Sequence, residues 1–186
     1  MKEMQNITRV VIVHGWADDP TKGWMRWLTD QLLVLGMEVI APAMPDPKQP
    51  NVDAWLDALS VAVGTVDQHT ALVGHSLGTY VLLRYLSAYS KDGRLGKLVL
   101  VAGFAGNERT EQGKRALPDV DLGKVKASVD QIYSVYSDND EIIPAAWSKE
   151  LGESLDAENV LDSGKGHFAG LHGCDTLPSV LKLIRA

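Results

Sequence analysis

Cysteine, basic residues and long apolar runs are scarce in this chain, and each scarcity excludes a class of protein. Cys174 is the single cysteine among 186 residues, so no internal disulfide can form and a reducing, cytoplasmic location is expected. Lysine and arginine number 18 against 24 acidic residues, which gives a formal net charge of −6. Nucleic acids and anionic membranes select clustered positive charge, and neither is therefore an expected partner.

Signatures of membrane insertion, secretion and metal binding are also missing. No apolar run approaches the length needed to cross a bilayer, so no membrane partner is predicted. Residues 1–8 carry mixed charges and no small-residue cleavage site, and a secretory signal is not expected. No pair of histidines or cysteines has metal-ligand spacing, so neither a metal nor another cofactor is predicted.

What the chain does contain is an alternation of strand-like and helix-like segments. Its 45% hydrophobic content suffices for one core, and its length predicts a single domain over residues 1–186. The alternation predicts an α/β fold, namely a doubly wound, mainly parallel sheet with helices on both faces. Predicted strands cover residues 9–13, 38–41, 70–73, 97–102, 131–137 and 159–161, and predicted helices cover 24–35, 52–66, 144–155 and 177–184, with one more after residue 76.

The most informative motif is Gly-His-Ser-Leu-Gly at residues 74–78. A serine on a tight strand-to-helix turn needs room on both sides, which Gly74 and Gly78 supply. An apolar, partly β-branched run precedes the turn and a helical repeat of apolar residues follows it. This context favours Ser76 as the nucleophile of a nucleophile elbow over a purely structural Gly-flanked turn.

A serine nucleophile needs a base, and in α/β-hydrolases the order along the chain is Ser, acid, His. Only His167 and His172 follow Ser76. His167 lies in a glycine-rich loop directly after the last predicted strand, which favours it as the base, and His172 is interpreted as a surface or packing residue.

The orienting acid is not settled by spacing. The segment after the predicted strand 131–137 offers three carboxylates, from Asp138, Asp140 and Glu141. An acid in this turn could reach back to the imidazole and hold its tautomer. Each of the three satisfies this requirement in composition.

The chain resembles, nearly end to end, the small serine hydrolases of the α/β-hydrolase superfamily typified by YdeN and retinoblastoma-binding protein 9. The resemblance rests on residues 14–16, 24–28, 44–47, 55–57, 74–78, 103–105, 140–144 and 166–168. In that family the catalytic acid stands four residues before a proline, as Asp140 stands before Pro144. The resemblance therefore implies an α/β-hydrolase fold and a catalytic triad of Ser76, Asp140 and His167.

One partner of the family is not carried over to this chain. Retinoblastoma-binding protein 9 is associated with an L-x-C-x-E motif that binds pocket proteins. The equivalent stretch here, residues 63–70, has no cysteine, and Cys174 lies in a segment with the wrong spacing. No pocket-protein binding is expected.

An acyl-transfer site also needs donors for the developing oxyanion. One donor is expected to be the backbone N–H of Leu77, the residue after the nucleophile, and the other an N–H of the loop at residues 14–16. By the resemblance, Trp16 provides the second amide, and Gly15 allows the backbone to come close. His14 lies outside the triad order and is interpreted as a hydrogen bonder that supports this loop.

Aromatic and loop residues divide between core and substrate site. Trp16 and Phe168 are predicted to line the substrate site, whereas Trp24 and Trp27 have the helical spacing of core residues. The charged loop 107–124 lies where larger hydrolases insert a lid, but it is too short for a large cap domain. His75 is predicted to pack behind the turn, and His69 to be exposed before its strand.

These features together predict a carboxylesterase that acts on a small-molecule ester or acyl substrate through an acyl-enzyme. Two alternatives stay open. The same triad could serve a peptidase or a thioesterase, or the chain could be a binding or scaffold protein whose triad is idle.

Overall fold

The computed structural model describes residues 6–88, 93–106, 117–170 and 173–186. Six parallel strands form one sheet in the order β2-β1-β3-β4-β5-β6. The strands are β1 (Arg9–Val13), β2 (Glu38–Ile40), β3 (Thr70–His75), β4 (Leu95–Val101), β5 (Val129–Tyr136) and β6 (Glu158–Leu161). The helices are α1 (Gly23–Val34), α2 (Val52–Val63), α3 (Leu77–Ala88), α4 (Leu122–Ser128), α5 (Ala145–Ser154) and α6 (Pro178–Arg185).

The sheet separates two apolar layers, because successive side chains of a strand point to opposite faces. In β4, Leu98 and Leu100 pack into one layer, whereas Val99 and Val101 pack into the other. Helices α2, α3, α4 and α5 contribute buried side chains to the first layer, and α1 and α6 contribute to the second. The central strands β3 and β4 are buried at every position, which explains their nearly continuous apolar sequence.

The predicted doubly wound α/β fold with helices on both faces is confirmed, and the boundaries show local rules at work. The Asn51 side chain accepts a hydrogen bond from the Ala54 N–H at 3.1 Å, so Asn51 is the N-cap of α2. Helix α2 ends at Val63, three residues before the predicted end, because Gly64 takes a positive φ of 59°. Pro144 is the N-cap of α5 rather than part of its first turn.

One helix was not predicted. Helix α4 begins in the last three residues of the predicted charged loop 107–124 and extends beyond it to Ser128, and residues 107–116 of that loop fall outside the described residues. Asp121 caps α4 by accepting from the Lys124 N–H at 3.0 Å. The connection between β4 and α4 covers only residues 102–121, which is too short for a large cap domain. None of the described helices has the length and apolarity to cross a bilayer.

Candidate active site

Ser76 connects the carboxyl end of β3 to the first residue of α3, and its backbone has a φ of +51°. Left-handed backbone is costly for a residue with a side chain, so neighbouring contacts must hold it. The Ser76 N–H donates to the Val101 carbonyl at 2.9 Å. The Ser76 carbonyl accepts from the N–H and hydroxyl of Thr79, at 2.9 and 2.6 Å. The predicted strand-turn-helix context of Ser76 is therefore present.

The two flanking glycines are required by close backbone approach. A Cβ at Gly78 would overlap the carbonyl oxygen of Val13 and lie 2.6 Å from that of His14. A Cβ at Gly74 would lie 2.9 Å from the backbone of Thr79. Real Cβ atoms do not come so close to backbone atoms. The absence of side chains at Gly74 and Gly78 therefore lets α3 begin directly against the ends of β1 and β3.

His167 lies between Ser76 and Asp140. Its Nε2 is 2.9 Å from the Ser76 Oγ, and its Nδ1 is 2.9 and 3.1 Å from the two carboxylate oxygens of Asp140. Since a carboxylate only accepts, Nδ1 carries a proton and donates it to Asp140. In the neutral ring Nε2 then has a free lone pair, which can accept the Ser76 O–H.

The Asp140 carboxylate is oriented from two sides. Its Oδ1 also accepts the N–H groups of Ile142 and Ile143, at 2.8 and 2.9 Å. The Asp140 side chain is 1% exposed and that of His167 is 9% exposed. Water therefore competes little for their hydrogen bond.

The other two carboxylates lie elsewhere. Asp138 accepts from the Ser163 hydroxyl at 2.5 Å and from the Gly164 N–H at 2.8 Å. These two hydrogen bonds lower the pKa of the Asp138 carboxyl. Glu141 is exposed. Asp140 is thus the carboxylate that faces the imidazole of His167, and His172 lies outside the described residues.

The loop after β1 passes directly beside the serine. A Cβ at Gly15 would lie 3.1 Å from the Ser76 Cβ, which shows how close this backbone comes. The Trp16 side chain is 63% exposed, and its indole N–H donates to the Lys48 carbonyl at 3.1 Å. A cavity of about 490 Å³ is lined by residues 46–49 of the same loop that holds the indole.

Three further histidines take up the surroundings that the sequence predicted. His14 is buried, its Nε2 accepts the Met44 N–H at 3.0 Å, and its Nδ1 donates to the Gly15 carbonyl at 2.8 Å. It therefore supports the loop that contains Gly15. His75 is buried behind the Ser76 turn, and His69 is exposed before β3.

Three aromatic residues differ in how they match the predictions. Trp24 is buried in the layer covered by α1 and α6, as expected of a core residue, and Trp27 packs against the same layer. Phe168 also lies in that layer and is 1% exposed. Its ring is therefore a packing group behind His167, not an accessible wall of a substrate site.

Burial of the Cys174 thiol and grouping of potential metal ligands bear on two other kinds of chemistry. Cys174 is buried, and burial raises the pKa of its thiol to about 11, so the nucleophilic thiolate is scarce at neutral pH. In the part of the chain that the structure describes, no group of three or more histidine, cysteine or acidic side chains could hold a metal ion.

A second set of polar residues was not identified from the sequence. The side chains of Ser137 and Asn139 accept hydrogen bonds from backbone N–H groups of the loop that carries His167. Asp18 lies with its Oδ2 3.5 Å from the Nδ1 of buried His75. A signal for the first pair is the polar run Ser-Asp-Asn-Asp at residues 137–140, which begins at the last residue of the predicted strand 131–137.

A parallel sheet with a serine on the turn after its central strand, facing a histidine on a later loop, is the architecture of the α/β-hydrolases. The chain matches the serine hydrolase family over residues 10–186 and belongs to that family. The predicted family membership and hydrolase class are thereby confirmed.

Individual relatives agree with this assignment. YdeN of Bacillus subtilis, described only as a hydrolase, is 34% identical over 178 residues, which cover 95% of this chain and 94% of YdeN. The serine hydrolase RBBP9 of Rattus norvegicus is 28% identical over 171 residues, or 89% of each chain. The crystal structure of B. subtilis YdeN superposes with a TM-score of 0.89 and covers 95% of this chain and 96% of that one.

Proposed function

We propose that this serine hydrolase cleaves small carboxylic esters through an acyl-enzyme formed on Ser76. The observation that carries the proposal is the unbroken series of hydrogen-bonding distances from Asp140 through His167 to the Ser76 Oγ. Nucleophile, base and orienting acid each have the partner that their role requires. The reaction class follows from this site rather than from the fold, which hosts many chemistries.

In the proposed first half-reaction, the Ser76 oxygen attacks the ester carbonyl carbon while Nε2 of His167 accepts the hydroxyl proton. The Asp140 carboxylate keeps Nδ1 protonated and stabilises the imidazolium that forms. When the tetrahedral intermediate collapses, Nε2 returns the proton to the departing alkoxide, and the alcohol leaves. In the second half, water attacks the acyl carbon while Nε2 of His167 accepts a proton from the water. Collapse of the second tetrahedral intermediate breaks the bond between the acyl carbon and the Ser76 oxygen, Nε2 returns the proton to that oxygen, and the carboxylic acid departs.

The proposed oxyanion donors are the backbone N–H groups of Leu77 and Trp16. Leu77 is the first residue of α3, where backbone N–H groups and the helix dipole favour a negative charge. The approach of Gly15 to Ser76 supports the proposal that the neighbouring amide reaches the same oxygen. Two such donors in a site shielded from water contribute a few kcal/mol to transition-state stability.

Trp16 is also the proposed apolar contact for the substrate. Its exposed indole is held in place by Lys48 and adjoins the cavity of residues 46–49. The cavity volume of about 490 Å³ falls in the range of small-molecule sites. The proposed substrates are therefore compact esters.

The proposed location is the cytoplasm, because a chain with one cysteine has no disulfide that needs an oxidising compartment.

The test combines covalent labelling with turnover. We expect a fluorophosphonate probe to modify wild-type protein at Ser76 and short-chain p-nitrophenyl esters to be hydrolysed with a burst of p-nitrophenol. Ser76→Ala is expected to lose both signals. Ser154→Ala removes an exposed hydroxyl at the end of α5 and is the matched control. Full turnover by Ser76→Ala would refute the proposal, and a panel of thioesters and aminoacyl amides shows whether esters are the preferred class.

A further inference from the structure

Four consecutive side chains after β5 hold the loop that carries His167. Asp138 accepts from Ser163 and Gly164, and Asp140 accepts from His167. The two loop residues between Gly164 and His167 are bound as well. The Ser137 Oγ accepts the Lys165 N–H at 2.9 Å, and the Asn139 Oδ1 accepts the Gly166 N–H at 2.8 Å. Residues 137–140 thus contact every residue from 163 to 167.

We propose that Ser137 and Asn139 are positioning residues for the imidazole of His167, an inference that rests on the proposed esterase function of Ser76. Their side-chain oxygens hydrogen-bond to each other and to the N–H groups of Lys165 and Gly166, so they act on the imidazole through the backbone of its loop. These hydrogen bonds fix the two backbone amides that directly precede His167. They thereby set the backbone position from which the His167 ring reaches both Asp140 and Ser76.

The loop needs such support because of its own sequence. Gly164 and Gly166 both have positive φ angles, 74° and 53°, and glycine has the largest conformational freedom to lose on folding. A loop with two glycines among the three residues before His167 does not by itself define the direction of the imidazole. The hydrogen bonds from residues 137–139 supply the constraint that the glycines lack.

Ser137 and Asn139 act as one unit. The Ser137 hydroxyl donates to the Asn139 Oδ1 at 2.8 Å while its oxygen accepts from Lys165. The Asn139 Oδ1 therefore accepts two hydrogen bonds, from Ser137 and from Gly166. Ser137 is buried, so solvent does not readily replace its donor and acceptor contacts.

The neutral amide of Asn139 also suits its place beside Asp140. A carboxylate at position 139 could accept the same two hydrogen bonds, but it would add a second negative charge next to the Asp140–His167 pair. Such a charge favours the protonated imidazole, which cannot act as base. The asparagine supplies the acceptor without this effect.

The experiment compares Ser137→Ala, Asn139→Leu and Asn139→Asp with a control, Asp162→Asn. Asp162 also accepts a side-chain hydrogen bond, but from Ser179 of α6 at 2.7 Å. The readouts are kcat and KM for a p-nitrophenyl ester, the pH dependence of kcat/KM, and the downfield NMR resonance of the proton between His167 Nδ1 and Asp140. Circular dichroism verifies that each variant is folded.

We expect Ser137→Ala and Asn139→Leu to lower kcat by roughly 10- to 100-fold with KM within about twofold of wild type, the size of effect that a small misplacement of a catalytic group produces. Their downfield resonance should broaden or disappear. Asn139→Asp should recover most of the lost kcat at alkaline pH, with the acidic limb of kcat/KM displaced to higher pH. Asp162→Asn should match wild type in all three readouts.

Wild-type kcat and an unchanged resonance in folded Asn139→Leu and Ser137→Ala would overturn the inference, as would equal losses in Asp162→Asn. These results differ from a failure of the proposed function. In that case wild-type protein itself neither turns over the ester nor reacts with the fluorophosphonate. The NMR resonance still reports in the absence of turnover whether residues 137 and 139 position His167.

Discussion

The imidazole of His75 donates from Nε2 to the backbone carbonyl of His167 at 2.9 Å. His75, which directly precedes Ser76, is thereby hydrogen-bonded to the main chain of His167, whose ring reaches Ser76. On its other side, the Nδ1 of His75 lies 3.5 Å from Asp18, in the loop after β1. His75 is buried, and its ring packs nearly perpendicular to that of Trp24. The end of β3 and the loops after β1 and β6 therefore meet at one side chain.

Replacing His75 is expected to affect stability and turnover together. His75→Leu removes the buried hydrogen bond to the carbonyl of His167, and the net contribution of one such hydrogen bond to stability is about 0.5–1.5 kcal/mol. His75→Gln keeps a side-chain N–H near the position of Nε2 and should lose less. We expect the free energy of unfolding, measured in urea, to decrease from wild type to His75→Gln and further to His75→Leu. We expect kcat to decrease in the same order. A His75→Leu variant as stable and active as wild type would show that the contact is dispensable.

Asp140→Asn should abolish nearly all turnover while leaving the fold intact. The asparagine carbonyl can still accept the N–H groups of Ile142 and Ile143, but its amide would then present hydrogens to Nδ1 of His167. Nδ1 must then be the acceptor, which places the proton on Nε2 and removes the base facing Ser76. We expect kcat to fall by roughly 10³- to 10⁴-fold, as in other Ser-His-Asp sites. The measurement is steady-state hydrolysis of a p-nitrophenyl ester.

The control for this prediction is Glu141→Gln. Glu141 is exposed and adjacent in sequence, so it tests the effect of losing one negative charge at the same turn. It should retain wild-type kcat. A larger loss in Glu141→Gln than in Asp140→Asn would contradict the assignment of the orienting acid.

The order of strands and helices could be predicted because each carries its own pattern. Strand β1 coincides with its prediction, since a parallel strand covered on both faces reads as a continuous β-branched run. Helix α4 was missed because Val125 is the only buried residue among its seven. Its sequence offers a single pair of large apolar residues at helical spacing, Leu122 and Val125, which is too little to set a helical period and to distinguish this segment from a charged loop.

The positions of Ser76 and His167 could be predicted from the residues alone because a motif and chain order indicate them, whereas Asp140 was predicted only through the family resemblance, because its position depends on strand order. Ser76 and His167 follow from the turn motif and from chain order. That Asp140 rather than Asp138 faces the imidazole depends on how the turn after β5 meets the loop after β6. The support by Ser137 and Asn139 depends on the same adjacency. Phe168 was expected at the substrate site because it follows His167, but its positive φ of 53° accompanies a side chain buried in the core.

Gly78→Ala is expected to destabilise the protein by at least about 2 kcal/mol, because its methyl group would overlap main-chain oxygens at the end of β1 that cannot move away. The higher helix propensity of alanine, about 1 kcal/mol at an interior position, does not offset this clash. Gly170→Ala is the control, since the nearest atom to its added Cβ is a side-chain oxygen of Asp175 at 4.0 Å. Chemical unfolding of both variants measures the difference, and equal stability of the two would refute the close-approach argument.

Lys97 makes the free energy of unfolding depend on pH in the alkaline range. It lies buried in β4, and its ammonium donates to the carbonyls of Leu183 and Ile184 near the end of α6, at 3.0 and 3.2 Å. Burial lowers the pKa of Lys97 below its ordinary value of 10.5. Between the lowered native pKa and the unfolded value, the unfolded chain binds more protons than the native one. The free energy of unfolding therefore gains a contribution that rises with pH, by about 1.4 kcal/mol for each unit of pKa difference.

This contribution is absent from Lys97→Met. We expect the difference in unfolding free energy, wild type minus Lys97→Met, to shift in favour of wild type as pH increases toward about 10.5, the region where the unfolded lysine loses its proton. Urea unfolding at a series of alkaline pH values measures it. Lys182→Met removes an exposed lysine of α6 and controls for the loss of one positive charge near the helix end. A difference that stays constant for Lys97→Met, or that falls as pH rises, would contradict the lowered pKa, because linkage then requires equal or greater proton binding by the native state.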